Sequence, residues 1–454
     1  MDDAEEAAIR RALESAALYE SQGHIELARL AYAEVLARSP GHAGALNALG
    51  RLLYRTGSRK AAQIAFAEAA RANPDSVAGH LNLAYTLVFE SRFAEAHRHY
   101  ARALEVDPEN RLAHQGMAYV LSELGDEEAA QGHRDAGFSE PVLHGTYRGY
   151  GEPVRVLLLC SQYGGTVSTA QFLDERIFLT TTIVVELFDP DMPLPPHHVA
   201  FNAVGDADRC EPALERALQI LARTKAPVIN APAAVLATRR LENARRLAEV
   251  AGVRTPRMTL LGRNAPVDDV SYPLLLRAPG FHTGRFFEHV ARPEDLDAAI
   301  ARLPGDVLLA IEYLDGRGTD GKYRKYRVMI VDGVLYPLHL AIASDWKVHY
   351  GTAEMRDPHH QAEERRFLED MHGTLGAPVV AALQGIARML ELDYAGIDFG
   401  LDGERRVLLY EANATMTVVV PEAHDAPYRR LPAERVVVEV IKMLARRASG
   451  VTGR

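Results

Sequence analysis

Three oxygen-bearing residues late in the sequence, Asp398, Glu411 and Asn413, have the types and spacing to hold a hard cation. Glu411 and Asn413 lie in LLYEANATM, residues 408–416, whose apolar start reads as a buried strand. Residues i and i+2 of a strand share a face, so both side chains point the same way. Polar groups on a buried face cost free energy unless something satisfies them. The preceding strand, YAGIDFGL, is joined to this one across Asp402-Gly403, a hairpin-turn pair. A loop of roughly two residues pairs Leu401 with Glu404, and one of roughly four pairs it with Arg406. Either register places Asp398 on the face of Glu411 and Asn413; a three-residue loop or a bulge would take it away. Oxygen ligands without His or Cys suit Mg²⁺, completed by water and nucleotide phosphates. A solvated edge hairpin is the competing reading of the same pattern.

A second cluster is basic. In GKYRKYRV, residues 321–328, Lys325 and Arg327 alternate toward one strand face, and Tyr323 shares it. Asp332-Gly333 then marks a hairpin turn. Beyond it come His339, Trp346 (the sole tryptophan), Lys347 and His349, which together read as the lining of an anion pocket. The alternative is a charged edge strand that resists aggregation. His197-His198 and His359-His360 are adjacent pairs whose side chains diverge on a helix or strand, so neither reads as a metal site.

These residues need a scaffold, and the pattern from 154 onward supplies an α/β one. VRVLLLC, IFLTTTIVVELF, HHVAFNAVGDAD and APVINAP are strand candidates, with CEPALERALQILART a helix among them. RRLENARRLAEVAG is the next helix, closed by Gly252, followed by the strand YPLLLRAPG and the loop GFHTGRFFE. PEDLDAAIARLPG, APVVAALQGIARMLELD and ERVVVEVIKMLARR are helices, and VLLAIEYLDGRG is a strand ending in a polar turn.

The first third has a different grammar. Pro40, Pro74 and Pro108 recur every 34 residues. Tyr32, Phe66 and Tyr100 share one register, and Ala28, Ala62 and Ala96 another. Small residues let helices approach, aromatics fill between them and proline ends each second helix. This is the signature of tetratricopeptide repeats. A fourth unit begins near Arg111 and keeps Gly125 and Ala130, but Arg134 replaces the aromatic, as suits a polar capping helix. The repeats read as a docking surface for a peptide or protein, with scaffolding or homo-oligomer formation as the plainer role.

The expected organisation is therefore an all-α tetratricopeptide-repeat solenoid over 1–137, a linker over 138–153, an α/β domain over 154–232 and an α+β domain over 233–454. The 454 residues carry a net charge of −10, which argues against nucleic acid or an anionic membrane as partner. Two cysteines imply no disulfide framework, and the acidic start MDDAEEAAIR does not read as a secretory signal. A cytoplasmic protein is the expectation.

The order AGIDFG then LLYEANATM, preceded by FNAVGDAD and PVINAP, resembles the ATP-grasp superfamily, in particular glutathione synthetases and ribosomal-protein glutamate ligases. The resemblance covers about 154–447. It implies an ATP-grasp fold with a preceding α/β domain, and an ATP-dependent carboxylate–amine ligase working through an acyl phosphate. Carried onto this sequence, Asp398, Glu411 and Asn413 would hold one or two Mg²⁺ ions. Arg277 stands where the family has a lysine on the nucleotide phosphates, and Arg240 (or Arg239) where a second is expected. Gly280, Thr283 and Gly284 would form the phosphate-covering flap, less glycine-rich than is usual for the family. Glu312, Tyr313 and Leu314 would border adenine. Arg327 would contact the reacting phosphate, with Lys325, His339, Trp346, Lys347 and His349 toward the substrate. A small-molecule or peptide carboxylate and an amine would be the substrates. The rival expectation is a catalytically weak nucleotide sensor or scaffold whose repeats mediate protein interaction.

Overall fold

The computed structural model describes residues 3–263, 271–281, 284–421 and 426–450. The chain forms two compact units. One comprises 1–139 with 420–427, the other 140–419 with 428–454.

In the first unit, helices pair as α1 (Asp3–Ser21) with α2 (Ile25–Arg38), α3 (Ala43–Arg55) with α4 (Arg59–Ala72), α5 (Val77–Phe89) with α6 (Phe93–Val106), and α7 (Arg111–Leu124) with α8 (Glu127–Gly137). The sequence period becomes packing directly. Ala28, Ala62, Ala96 and Ala130 are fully buried at close helix approaches, and Tyr32, Phe66 and Tyr100 are buried beside them. Arg134 occupies the next aromatic place. Far from lying on a polar outer face, it is buried and ion-paired to Glu127. Its methylene stem can fill the slot while the guanidinium finds a carboxylate.

A second device repeats with the same period. His80 Nδ1 lies 3.0 Å from His99 Nδ1, and His114 Nδ1 lies 2.7 Å from His133 Nδ1. The Nε2 atoms of His80 and His114 meet the carbonyls of Pro74 and Pro108 at 3.0 and 2.9 Å. A carbonyl only accepts, so these Nε2 atoms donate. In the neutral rings, His80 and His114 then accept at Nδ1 from His99 and His133.

The second unit has three sheets. The first has the order β1 (Val142–His144), β3 (Phe178–Val184), β2 (Val154–Cys160), β4 (Val199–Asn202), β5 (Val228–Ile229). Strands β2 to β5 are parallel, and β1 is an antiparallel edge. The apolar run of β2 fits a central strand covered on both faces. The edge strand falls within the stretch expected to be a linker: Val142 and Leu143 give it enough apolar, β-forming character to pair. Helices α9 (Glu211–Leu221), α10 (Pro232–Leu236) and α11 (Arg240–Leu247) follow β4 and β5. After the short β6 (Val253–Arg254) comes a four-stranded antiparallel sheet in the order β7 (Met258–Gly262), β10 (Val307–Glu312), β8 (Leu274–Arg277), β9 (Phe287–Val290), backed by α12 (Leu296–Arg302).

The third sheet carries the residues of most interest. Its order is β12 (Val334–Ala343), β11 (Tyr323–Val331), β13 (Tyr394–Leu401), β14 (Val407–Asn413), β6. Asp332-Gly333, both at positive φ, turns β11 into β12 as a tight hairpin requires. One face is apolar: Tyr326 stacks on Phe399 at 5.2 Å and meets Phe367 of α13 (Pro358–Glu369). Helices α14 (Met371–Leu375) and α15 (Ala377–Leu390) extend that core, and α16 (Arg430–Ala448) packs against β11 and β12. The polar residues therefore gather on the other face.

Candidate functional site

Two β-bulges build the site. In the hairpin of β13 and β14, Leu401 pairs with Val407 and Phe399 with Leu409, a register set by an odd-length loop. Continued regularly, it would put Tyr410 opposite Asp398 and send Glu411 to the far face. A bulge at Tyr410 intervenes, so that Asp398 pairs with Glu411 and Gly396 with Asn413. The Tyr410 hydroxyl fits beside Gly400 and Gly316, where an added Cβ would lie 2.3 and 2.5 Å from it. A second bulge in β12 shifts the partner of Arg327 to His339. Bulges re-aim side chains in this way. The result is one row across four strands: His339, Arg327, Asp398, Glu411.

The row is strongly coupled. Arg327 donates to Asp398 in a fork, Nε to Oδ1 at 2.6 Å and Nη2 to Oδ2 at 2.7 Å. Lys325 Nζ is 3.4 Å from Oδ2. Burial pushes the Asp398 carboxyl up, but the charges of Arg327 and Lys325 outweigh it and hold it well below the usual carboxylate range. For Arg327, burial opposes the charge and the forked bond to Asp398 raises its pKa past that opposition. His339 is held well below the ordinary histidine range by burial, then by the Arg327 charge. Among the described residues its Nδ1 has no hydrogen-bond partner. Behind it, the buried Glu364 accepts from Tyr350 and Tyr428, and Arg429 lies 3.7 Å over the Tyr350 ring.

Glu411 ends the row in a cleft of ≈ 220 Å³ that also contains Arg240, Arg277, Gly280 and Asn413. Glu411 Oε1 accepts from Arg240 Nη2 and Asn413 Nδ2, both at 2.9 Å. Asn413 Oδ1 accepts from Thr415 N at 3.0 Å and Thr415 Oγ1 at 2.8 Å. Arg240 opens α11, with its backbone N–H donated to Asp208. Arg277, ending β8, donates to the Phe281 carbonyl and lies over the Phe287 ring. Burial lowers its pKa to about 10, with the like charge of Arg240 as the next cause. Two guanidinium groups so placed favour an anion between them.

The donor set matches a hard cation in type, but Glu411 Oε1 and Asn413 Oδ1 are each taken by two donors in this arrangement. Asp398 retains carboxylate lone pairs beyond the two that Arg327 uses, and Asp398, Glu411 and Asn413 share one face. Among the described residues no group of three or more His, Cys, Asp or Glu is placed to hold a metal, so the amide oxygen of Asn413 is needed to complete such a set.

The other described candidate residues do not line this cleft, but Glu312 lines an adjoining one that shares Leu241, Ala244, Thr255, Pro256 and Met258 with it. Glu312 accepts from Arg254 at 2.9 Å and from the Arg257 backbone at 3.0 Å. Tyr313 donates to Tyr323 at 2.7 Å, and Leu314 is buried. Trp346 packs on Phe287 and His289, and Lys347 crowds Gly284. His349 is held below its ordinary range by burial and then by Lys325, which puts it near the row. Thr283 lies outside the described residues. Asp208 and Thr415 lie within FNAVGDAD and LLYEANATM but are not among the predicted site residues, and Asn243 lies in neither: it donates to the Ala412 carbonyl at 2.7 Å, a partner 169 residues away.

No family model matches the chain, and no curated protein matches it. Among solved structures it is similar to a crystal structure of MamA at 16% identity and TM-score 0.27, over 28% of this chain and 75% of that one. It is also similar to a MamA from Desulfovibrio magneticus RS-1 at 18% identity and TM-score 0.26, over 28% and 71%. A tetratricopeptide repeat protein from Parabacteroides merdae ATCC 43184 gives 17% identity and TM-score 0.27, over 29% and 52%. The N-terminal region is a tetratricopeptide-like helical repeat, and a mixed α/β region follows it. Among the described residues no helix is long and apolar enough to cross a membrane.

Proposed function

We propose that the α/β region is an ATP-dependent carboxylate–amine ligase of the ATP-grasp type, and that the repeats hold a peptide or protein substrate or partner. The observation that carries this reading is the joining of two features. A cleft lined by Arg240 and Arg277, with Asp206 and Asp208 beside them, opens on a row of Arg327, Asp398 and Glu411 that one sheet face presents. Arg277 and Arg240 suit the oxygens of a nucleotide's phosphates. Asp398, Glu411 and Asn413 would hold Mg²⁺, which when bound neutralises charge across the triphosphate. Arg327, fixed by its fork to Asp398, would face the reacting phosphate and oppose its developing charge. Lys325, His339 and His349 would orient the acid. Its carboxylate oxygen forms a bond to the γ-phosphorus as the bond to ADP breaks. The amine nitrogen then bonds to the acyl carbon, phosphate leaves and the amine proton passes to solvent. The chain supplies positioning and charge, not a covalent nucleophile.

A second reading has its own observation. Glu411 is already ion-paired to Arg240 at 2.9 Å, an arrangement suited to a nucleotide sensor with slow or no turnover, the repeats being its working surface. One assay separates the two. The full chain is incubated with Mg·ATP and pooled carboxylates and amines, with ADP release followed and mass detection of a dehydrated adduct. ADP release that needs both acid and amine supports the ligase. Tight ATP binding without turnover supports the sensor, and ADP release that ignores the amine indicates a phosphotransferase.

A further inference from the structure

The contacts of Glu411 and Asn413 bear on the order in which the cleft is filled. Glu411 Oε1 already takes two donors, Arg240 Nη2 and Asn413 Nδ2. Asn413 Oδ1 takes two more from Thr415, which fills the lone pairs of an amide oxygen. Asn413 is thereby held with its NH₂ toward Glu411 and its oxygen away. That oxygen opens to a ligand once the Thr415 hydroxyl turns away, and an amide flip is no substitute. It would turn the NH₂ onto the Thr415 N–H and set two donors against each other. The pairing with Glu411 is one that a guanidinium can exchange. The side chains of Arg240 and Glu411 are 19% and 33% exposed, whereas that of Asp398 is 4% exposed. Arg240 is thus held by a single bond to the more exposed carboxylate, where Arg327 is held by two to a buried one, and its helix start is anchored independently through its backbone N–H to Asp208.

Arg277 supplies the reason to move. It shares the cleft with Arg240 and bonds to the Phe281 carbonyl, while the charges of Glu411, Asp206 and Asp208 act on it. A polyphosphate placed against Arg277 offers Arg240 an acceptor that matches its fork at least as well as one carboxylate oxygen does. It also relieves the repulsion between the two guanidinium groups. A divalent cation alone offers neither, and it must displace Arg240 from Glu411 unaided.

We propose that Arg240 is a latch on Glu411 that only an oxyanion releases, so that the cleft takes nucleotide phosphate first and a divalent cation second. This rests on the nucleotide reading above and adds to it a binding order and a residue that enforces it. In thermodynamic form, the free protein has low affinity for the cation and substantial affinity for metal-free triphosphate, and each ligand raises the affinity for the other by the same factor.

The test is calorimetry on the full chain with three titrants: MgCl₂ alone, ATP in excess EDTA, and ATP with MgCl₂. The latch requires ATP binding in EDTA, and no heat from MgCl₂ alone at concentrations that complete the ternary complex. Arg240→Met should reverse the pattern, weakening ATP in EDTA and tightening Mg²⁺ alone, each by about tenfold, a common size for coupling between sites. Glu411→Gln should then remove the Mg²⁺ binding gained by Arg240→Met. Thermal melting of each variant checks that it is folded. Mg²⁺ binding to the unaltered chain with an affinity that Arg240→Met leaves unchanged overturns the latch, as does ATP binding that requires the metal. Absence of ATP binding both with and without metal overturns the nucleotide reading itself, and so is told apart from failure of the latch.

Discussion

The fork between Arg327 and Asp398 should anchor the third sheet as well as the site. The Asp398 side chain is 4% exposed and that of Arg327 21%, and two hydrogen bonds of 2.6 and 2.7 Å join them. Replacing the pair with apolar groups can be nearly neutral, but removing one partner leaves a charge buried without its counter-ion, at a cost of about 3–5 kcal/mol. Asp398→Asn leaves Arg327 and Lys325 facing a neutral amide. Arg327→Met leaves Asp398 with only Lys325, at 3.4 Å. For a unit of this size, ~2 °C of melting temperature accompanies each kcal/mol, so either change should lower the transition by roughly 6–10 °C. Trp346, the sole tryptophan, lies in this unit, so its fluorescence reports that transition apart from the repeats. The double variant Asp398→Asn with Arg327→Met removes both charges and should recover at least about 2 kcal/mol relative to the sum of the single changes, as coupled neighbours do. Single variants that melt within about 2 °C of the parent, or a double variant as unstable as the sum, would refute the reasoning.

The repeat unit should lose stability in mild acid. His99 and His133 are held below the ordinary histidine range by burial first and by His80 and His114 second, so below pH ~6.5 the unfolded chain binds more protons than the folded one. Far-UV melting should therefore show stability falling as pH drops from about 7.5 to about 5, with a flatter profile in His99→Gln and His133→Gln. Packing in the same unit can be probed at two glycines. A Cβ at Gly116 would lie 2.2 Å from the Tyr100 ring, so Gly116→Ala should cost about 1–3 kcal/mol. Nothing lies within 4 Å of a Cβ at Gly132 inside α8, so Gly132→Ala should stabilise by roughly 0.5–1 kcal/mol in the same melts.

What the sequence made legible follows from how local each cause is. The helical repeat was readable because Pro40, Pro74 and Pro108 and the aromatic register act within one period. The central strands were readable because burial on both faces writes itself as an apolar run, as in VRVLLLC. The short strands β7 and β9 were not, since neither has such a run: β7 is partly exposed and β9 has four residues, three of them half-buried, with a charge among them. At the candidate site, placing Asp398, Glu411 and Asn413 on one face assumed an even loop and no bulge. The hairpin has neither feature, yet the side chains share the face because its odd loop and the bulge at Tyr410 each invert the parity once. A similar inversion beside Pro337 brings His339 to the polar face, and a proline inside a strand is a sequence signal for such a bulge. Tyr410 has no such marker, because its cause is a notch at Gly400 and Gly316, one on the partner strand and one on a distant loop. The Arg327–Asp398 fork was likewise invisible, since it needs the register of a third strand 71 residues away. Both bulges fall beside the same row, between Arg327 and Val328 and between Asp398 and Phe399. A regular sheet would have sent His339 and Glu411 into the apolar layer with Tyr326 and Phe399, where their desolvation would go uncompensated. The irregular backbone is therefore what lets one sheet pack an apolar core on one side and bring His339 and Glu411 to Lys325, Arg327 and Asp398 on the other.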